Sequence, residues 1–569
     1  MQKRWTFKPT PDKATVDQLS AGLGIGPVLS QLLLHRGIQT YDEAKFFFRP
    51  ILEHLHDPFL MAGMEQAIER IDKAIAQNEK ILIYGDYDVD GTTSVALTYS
   101  FFSKRYDQLA YYIPDRYKEG YGISTQGIDF AKENGFTLII ALDCGIKSVD
   151  KVAYANTLGV DFIICDHHLP GDELPDAVAL LDPKRPGCDY PYKELSGCGI
   201  GFKLIQAYAQ AHDIPFEEVT QYLDLVAISI ACDIVHIDGE NRVLAHYGLQ
   251  RINTEPCIGV KALMGVAKKG SSEYTISDVV FLLGPRINAA GRIDDAKQAV
   301  ELLISCHDDE ANTLGALINT KNLERKEHDL NITGDALSMI DESQIMIDRK
   351  STVVYREDWH KGVIGIVASR LTEKYYRPTI VLTRSNGHVA GSARSVVGFD
   401  LYEALCDCSD LLIQFGGHKY AAGLTMKPEN VTAFADRFEE VVSATIPPEL
   451  LIPEILIDAE LELKQIDPKF FRILQQFAPF GPENMSPIFL SRGVQVKGLA
   501  TLVGGAHLKV TIDQQGSPIF DCIAFGQAEH LDKINSGQPF DICYSIEENV
   551  WRDKRSIQLN IRGIRFSEQ

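Results

Sequence analysis

The sequence predicts an α/β protein: two α/β lobes joined by a long connecting helix, with a small β-barrel at the C-terminal end. Three patterns predict it. Apolar strand-like runs alternate with helical segments over residues 56–240 and again over 346–447. The stretch from 310 to 345 is polar and reads as one long helix. From 450 onward, ILIDAELEL, HLKVTI, PIFDCIAF and SIQLNIRGIRF alternate as short strands do in a barrel.

A chain of 569 residues suggests three to four domains. Its 45% hydrophobic and 24% charged content is that of a soluble globular protein. No apolar run reaches the roughly 18 residues of a transmembrane helix, so no membrane association is expected. The start, MQKRWTFKPT, lacks the apolar segment of a secretory signal. Eleven scattered cysteines without a CxxC pair argue against a zinc ribbon or a disulfide framework, and for a reducing cytoplasm. The net charge of −22 argues against a whole-surface DNA binder but leaves room for a local basic groove.

Residues 1–55 read as an N-terminal cap with helical patches at Val28–Leu34 and Tyr41–Phe48. The glycines from Gly22 to Gly26 follow no strand and precede no GK[ST], so they read as a turn and not as a phosphate loop.

Ile81–Ser94, ILIYGDYDVDGTTS, organises the next region, 56–240. It reads as a buried parallel strand, an acidic turn with Asp86, Asp88 and Asp90, and a helix. Ligands collect at the carboxyl ends of parallel strands, and crowded carboxylates there call for a divalent cation. Three more apolar runs end alike: FTLIIALDC delivers Asp143, VDFIICDHH delivers Asp166, His167 and His168, and LDLVAISIACD, strand or helix, delivers Asp233. Carboxylate with imidazole suits manganese, with magnesium as the other choice. Arg116 and Lys118 lie in a tyrosine- and glycine-rich loop that would hold a phosphate or simply be solvated. Ser196–Phe202, SGCGIGF, follows a loop, so helix packing is the better reading than a dinucleotide fingerprint.

Residues 241–345 read as helical, ending in the connecting helix, whose apolar residues are too sparse for a buried one. Within them, Arg286 and Arg292 bracket the small residues of GPRINAAGR: cationic forks for phosphate, or partners of Asp294 and Asp295 at a helix start. In 346–447, GHVAGSARS presents Ser392 and Arg394, and FGGHKYAAGL presents His418 beside Gly416 and Gly417; together they suit an anion pocket. In the barrel, 448–569, the last strands carry Arg552, Lys554, Arg555, Arg562 and Arg565 with Trp551 and Phe566, as a single-strand-binding face or a solvated edge would.

DYDVDG, LDCG, DHH and ACDIV, in that order, resemble the motifs of the DHH phosphoesterase superfamily. GPRINAAGR, WHKGVIGIVASRL, GSARS, GGHKYAAG and APFGPENMSP are similar to those of its RecJ family, single-strand-specific 5′→3′ exonucleases, over nearly all of the chain beyond the cap. The resemblance implies a DHH lobe, a DHHA1-like lobe and an OB-like barrel. It implies two metal ions, Mn2+ or Mg2+, on Asp88, Asp90, Asp143, His167 and Asp233, with Asp143 bridging and Asp86 close by. Related phosphatases carry a histidine where Tyr84 stands here, so that ligand position is filled differently. His168 would face the scissile phosphate; Arg116, Ser392 and Arg394 would take a 5′-terminal phosphate; His418 would line the groove; and Arg292 and Arg370, with Arg286, would contact the backbone.

The implied activity is degradation of single-stranded DNA from the 5′ end in DNA repair and recombination, in the company of a helicase and a single-strand-binding protein. Two rivals are a phosphoesterase of the same superfamily acting on short oligonucleotides or a small phosphate compound, and a non-catalytic replication scaffold. The barrel argues against the first, and the complete metal-ligand set against the second.

Overall fold

The computed structural model describes residues 3–270, 272–551 and 554–566. They form two compact units: Thr320–Ile455 with residues 3–6, and residues 7–319 with 456–566.

The larger unit is built on five parallel strands: β1 (Lys80–Gly85), β2 (Leu109–Tyr112), β3 (Phe136–Leu142), β4 (Asp161–Cys165) and β5 (Ala179–Leu181), ordered β2-β1-β3-β4-β5. Successive side chains on a strand alternate between the two faces of the sheet. Ile81 and Ile83 therefore enter the core on one face, and Leu82 and Tyr84 the core on the other. Because the strands are parallel, all five carboxyl ends lie along one edge, where the chain departs into loops.

Three helices complete that edge: α1 (Val89–Phe102), α2 (Gly197–Ala211) and α3 (Leu223–Cys232). The run at Leu223 is thus a helix and not a fourth strand. It is buried on all sides, which removed the periodicity that would have identified it.

The N-terminal helices Lys13–Leu23, Pro27–Leu34 and Tyr41–Phe48 share one hydrophobic core with the C-terminal barrel. Gly24, at φ 65°, ends the first of them, so the glycine cluster is the expected turn. Arg242 fastens this arrangement, donating from a buried position to the carbonyls of Phe47, Gln476, Phe477 and Ala478 at 2.9–3.0 Å. The barrel orders its strands Ala459–Glu460, Phe489–Val496, Phe540–Trp551, Lys554–Phe566, Phe520–Ala524, His507–Asp513 and Thr501–Val503. Pairing of Phe489–Val496 with His507–Asp513 closes it.

The unit boundary falls inside the long helix α4 (Asp308–Asp341). Contrary to the sequence reading, α4 is apolar enough to bury a face: Ala311 and Ile318 in the first unit, Ile332, Ala336 and Ile340 in the second.

The second unit is a five-stranded mixed sheet. β6 (Thr352–Arg356) and β7 (Thr379–Ser385) are parallel; β8 (His388–Arg394), β10 (Ala421–Met426) and β9 (Leu412–His418) add antiparallel in that order. Helix α5 (Ile364–Tyr375) connects β6 to β7.

Candidate active site

The acidic turn after β1 is fixed by backbone demands. Asp88 caps α1, accepting from Gly91 N at 3.0 Å. A Cβ on Gly91 would lie 2.3 Å from the Asp86 carbonyl oxygen, so this tight turn requires glycine. Asp90, one residue into the helix, points inward and is 1% exposed. Its carboxylate accepts from Gly197 N (2.7 Å), Cys198 N (2.8 Å) and Ser229 Oγ (2.7 Å). The start of α2 therefore grips a carboxylate with its free N–H groups and its dipole. Sequence reasoning assigned SGCGIGF to packing alone; its spaced glycines were the available signal. A Cβ on Gly197 would lie 2.6 Å from Asp143 Cβ.

Asp143 follows β3 in the left-handed region, φ 60°, a conformation that non-glycine residues seldom hold outside functional sites. His167 follows β4. Its Nε2 lies 3.2 Å from Asp143 Oδ1, 3.5 Å from Asp233 Oδ2 and 3.7 Å from Asp90 Oδ2. Both ring nitrogens are buried with no hydrogen-bond partner. Two constellations have donor atoms close enough to share an ion: Asp90 with His167 and Asp233, and Asp143 with His167 and His168. His167 is common to both, the place that the resemblance gives to Asp143. Asp88 stands outside both, engaged as the helix cap.

The electrostatics of this edge are strained. Burial, then the charges of Asp90, Asp88, Asp233 and Asp166, hold the Asp143 carboxyl well above the usual range. Burial with Asp90 and Asp88 pushes Asp233 up to about 8. Burial and a neighbouring aspartate likewise raise Asp86 and Asp88. Asp233 also sits at the carboxyl end of α3, where the helix dipole is negative. Burial lowers His167, favouring the neutral imidazole that offers a lone pair. Unsatisfied imidazole nitrogens among repelling carboxylates fit divalent cations, and the donor set is one for manganese or magnesium.

His168 behaves differently. Its Nδ1 is 2.7 Å from Asp166 Oδ1 and its Nε2 is 3.1 Å from the Tyr121 hydroxyl. Burial opposes its charge, but Asp166 and the acidic surroundings prevail and raise it to about 9. Asp166 is drawn to about 2, the His168 bond and backbone N–H groups outweighing burial. Arg116 lies over the Tyr87 ring at 4.8 Å. Tyr117 donates to the Arg292 carbonyl, which brings the end of the GPRINAAGR helix to the same loop.

Tyr84 is not at this site. It is fully buried on the opposite face, donating to Gly122 O at 2.9 Å and stacked on Tyr112 at 5.4 Å. Arg286 is engaged within the chain. It is buried and donates to Leu282 O and to Asn319 Oδ1 at 3.1 Å, not to Asp294 or Asp295.

In the second unit, Ser392 and Arg394 meet the amino end of α5. Arg394 Nη1 donates to Ser392 Oγ at 3.1 Å, and a Cβ on Gly365 would lie 2.9 Å from Ser392 Oγ and 3.2 Å from Arg394 Nη2. A guanidinium, a hydroxyl and a helix N-terminus thus share one small space, an arrangement suited to a phosphate. His418 is exposed at the end of β9, and its register partner Ala421 pairs in turn with Arg394. Arg370, on α5, forms an ion pair with the buried Asp329 of α4 at 2.7 Å.

Residues 80–230 match the DHH family, N-terminal domain; 348–444 match the DHHA1 domain; and 457–563 match the RecJ OB domain. The single-stranded-DNA-specific exonuclease RecJ of Bacillus subtilis is 39% identical over 568 residues, 99% of this chain and 71% of that protein. The chain belongs to the RecJ family. Among solved structures, RecJ from Thermus thermophilus in complex with Mn2+ superposes with a TM-score of 0.85 at 27% identity, covering all of this chain and 80% of that one. The same protein in complex with Mg2+ gives 0.79 at 26% identity, covering all of this chain and 79% of that one.

The RecJ OB domain carries fewer unpaired cations than its sequence suggested. Arg555 pairs with Glu548 at 3.0 Å and Arg562 with Glu547 at 3.5 Å, across adjacent strands. Arg552 and the Trp551 side chain lie outside the described residues. Among the described residues of this RecJ-family chain, no helix is long and apolar enough to cross a membrane.

Proposed function

We propose that this protein is a divalent-metal-dependent exonuclease that degrades single-stranded DNA in the 5′→3′ direction, in DNA repair and recombination. The observation that carries the reading is His167, a buried neutral imidazole with both nitrogens unsatisfied and three carboxylates within 3.7 Å. Asp90, Asp143, His167 and Asp233 would hold Mn2+ or Mg2+, with Asp88 completing the set from the α1 cap. When bound, the ions supply Lewis-acid activation of water and of the phosphodiester.

The rest is the work of side chains. His168, kept protonated by Asp166, donates to a non-bridging phosphate oxygen as negative charge builds there. Arg116 and Arg292 border the acidic edge and neutralise the incoming backbone. Ser392 and Arg394 at the start of α5 hold the 5′-terminal phosphate, with His418 beside them. A terminus gripped in this way gives direction, because the bond presented for hydrolysis is counted from the 5′ end. Arg370 contributes to that surface through its anchored position on Asp329. The barrel supports the strand beyond the cut.

An enzyme confined to single strands depends on a helicase to open duplex ends and on a single-strand-binding protein to keep them open, and these are its expected partners. Eleven free cysteines fit work in the reducing cytoplasm. Digestion of 5′-labelled and 3′-labelled single strands, with and without added manganese, tests the reading. Metal-dependent early release of the 5′ label is expected. Early release of the 3′ label, or equal attack on duplex, would overturn it.

A further inference from the structure

The five parallel strands place their carboxyl-end loops in a row. Arg116 follows β2 at one end, the metal-ligand candidates follow β1, β3 and β4 in the middle, and the loop after β5 closes the other end. At the usual interstrand spacing the row spans about 19 Å, room for several nucleotides. The proposed function uses the first end and the middle. The far end holds a cavity of about 480 Å³ lined by Leu169, Pro183, Lys184, Arg185, Lys193 and Glu194.

This cavity is built for an anion. Three of its six residues are cations and one is an acid. Lys184 pairs with Glu194 at 2.9 Å, and Lys193 donates to Cys188 O at 2.7 Å, so both ammonium groups are held in place. Arg185 is different: its Nε is buried without a hydrogen-bond partner, and among the described residues no acid lies within ion-pair distance of its guanidinium. A buried N–H donor without a partner is costly, and the rest of this guanidinium is left to the cavity. Leu169, 70% exposed and next in sequence to His168, forms an apolar wall on which a sugar or base can rest. Lys184 stands near enough to act electrostatically on both His167 and Asp233.

We infer that the loop after β5 is a backbone-phosphate subsite for the single strand, with Arg185 as the principal contact and Lys184 and Lys193 around it, on the opposite side of the metal centre from Arg116. Resting on the exonuclease reading, with the 5′ end on the Arg116 side, it receives the strand on the 3′ side of the scissile bond. It therefore engages only substrates long enough to cross the centre.

The test compares Arg185→Gln and the charge-retaining Arg185→Lys with the native protein. Strand affinity is measured with manganese in an Asp143→Asn background, where cleavage is blocked, across a salt series. Arg185→Gln is expected to weaken binding of a long strand about fivefold and to lower the salt slope by about 0.7, the value for one lost phosphate contact on a single strand. Arg185→Lys should keep most of the slope. In the cleavage-competent protein the loss should be several times greater on a long strand than on a dinucleotide. An unchanged salt slope, or equal losses on long strand and dinucleotide, would overturn the subsite. A product mononucleotide offers the same phosphate chemistry. If it inhibits the native protein and not Arg185→Gln, the pocket belongs to product and the polymer assignment falls. Native protein that binds strands without cutting them would sink the exonuclease reading, while the salt slope still decides the subsite.

Discussion

His167 Nε2 and Asp143 Oδ1 lie 3.2 Å apart, yet neither nitrogen of that buried ring makes a hydrogen bond. The pair is held together by β3 and β4, adjacent strands whose register brings Leu142 opposite Cys165. Neighbouring Asp90 and Asp233 crowd further carboxylates against the pair. Asp143→Asn should therefore have opposite effects on catalysis and on stability. Cleavage is expected to fall by at least about 1,000-fold, since a ligand to the activating ions is lost. The chelated protein should become more stable by about 1–3 kcal/mol, since one repelling carboxylate is removed. Thermal melts in chelator and single-strand digestion in manganese check the two arms; a destabilised, active variant would refute the assignment.

Metal itself should stabilise the fold. A ligand present at 100 times its dissociation constant adds about 2.7 kcal/mol. The pH dependence gives a sharper test. Asp143, Asp86 and Asp88 are raised, and Asp233 is raised to about 8, each above its unfolded value. Groups raised in the folded state bind more protons there than in the unfolded chain. Their contribution is full below the unfolded carboxylate pKa, near 4, and is lost as pH rises toward 8. Chelated protein should thus melt at falling temperature across that range. With manganese the trend should reverse, because ions require deprotonated ligands. Melting curves at stepped pH, with and without manganese, measure the crossing.

Gly197→Ala tests a residue that touches no substrate. The added Cβ would fall 2.6 Å from Asp143 Cβ and 2.9 Å from Asp143 Oδ1. Asp143 must move, and a displacement near 1 Å at a reacting centre costs about 100-fold in rate. Manganese affinity by calorimetry should fall in parallel. Retained affinity with lost activity would point away from Asp143 as the affected group.

The sequence was informative where local rules suffice. An apolar strand ending in DYDVD announces a turn of carboxylates, and DHH after VDFIIC announces imidazoles at the same edge. It was less informative where tertiary contact decides. LDLVAISIAC is apolar except for Asp224 and Ser229, so Asp233 could be placed at the end of a run but not on a helix terminus. Gly197 gripping Asp90 depends on the starts of two helices, 107 residues apart in the chain, meeting. Nor does the sequence reveal that Leu282 O and Asn319 engage Arg286. Tyr84 marks the limit most sharply: it occupies a ligand's place in the motif, yet the alternation of β1 turns it into the opposite core.

Tyr84→Phe should for that reason leave manganese affinity unchanged. Its hydroxyl donates to Gly122 O at 2.9 Å and accepts from Ser124 N at 3.1 Å inside the core. Removing it strands a buried donor and a buried acceptor, at about 1–3 kcal/mol. Urea unfolding should register that loss. A drop in metal affinity would mean that the ring reaches the site after all.

Arg394→Ala addresses the second unit. Ser392 Oγ accepts from Arg394 Nη1 at 3.1 Å, and both crowd Gly365 at the start of α5. If this cradle takes the terminal phosphate, the variant loses a charge-assisted contact worth about 1.5–3 kcal/mol, or roughly 10- to 100-fold in kcat/KM. The loss must appear on 5′-phosphorylated strands and be far smaller on 5′-hydroxyl strands. Gly365→Ala should reproduce it, because its Cβ fills the same space while leaving the guanidinium charge in place. Steady-state kinetics on the two kinds of end separate a terminal-phosphate cradle from a general backbone contact. Equal losses on both ends, or an Arg394→Ala effect that Gly365→Ala fails to share, would move the 5′ end elsewhere and leave the direction of degradation without its structural cause.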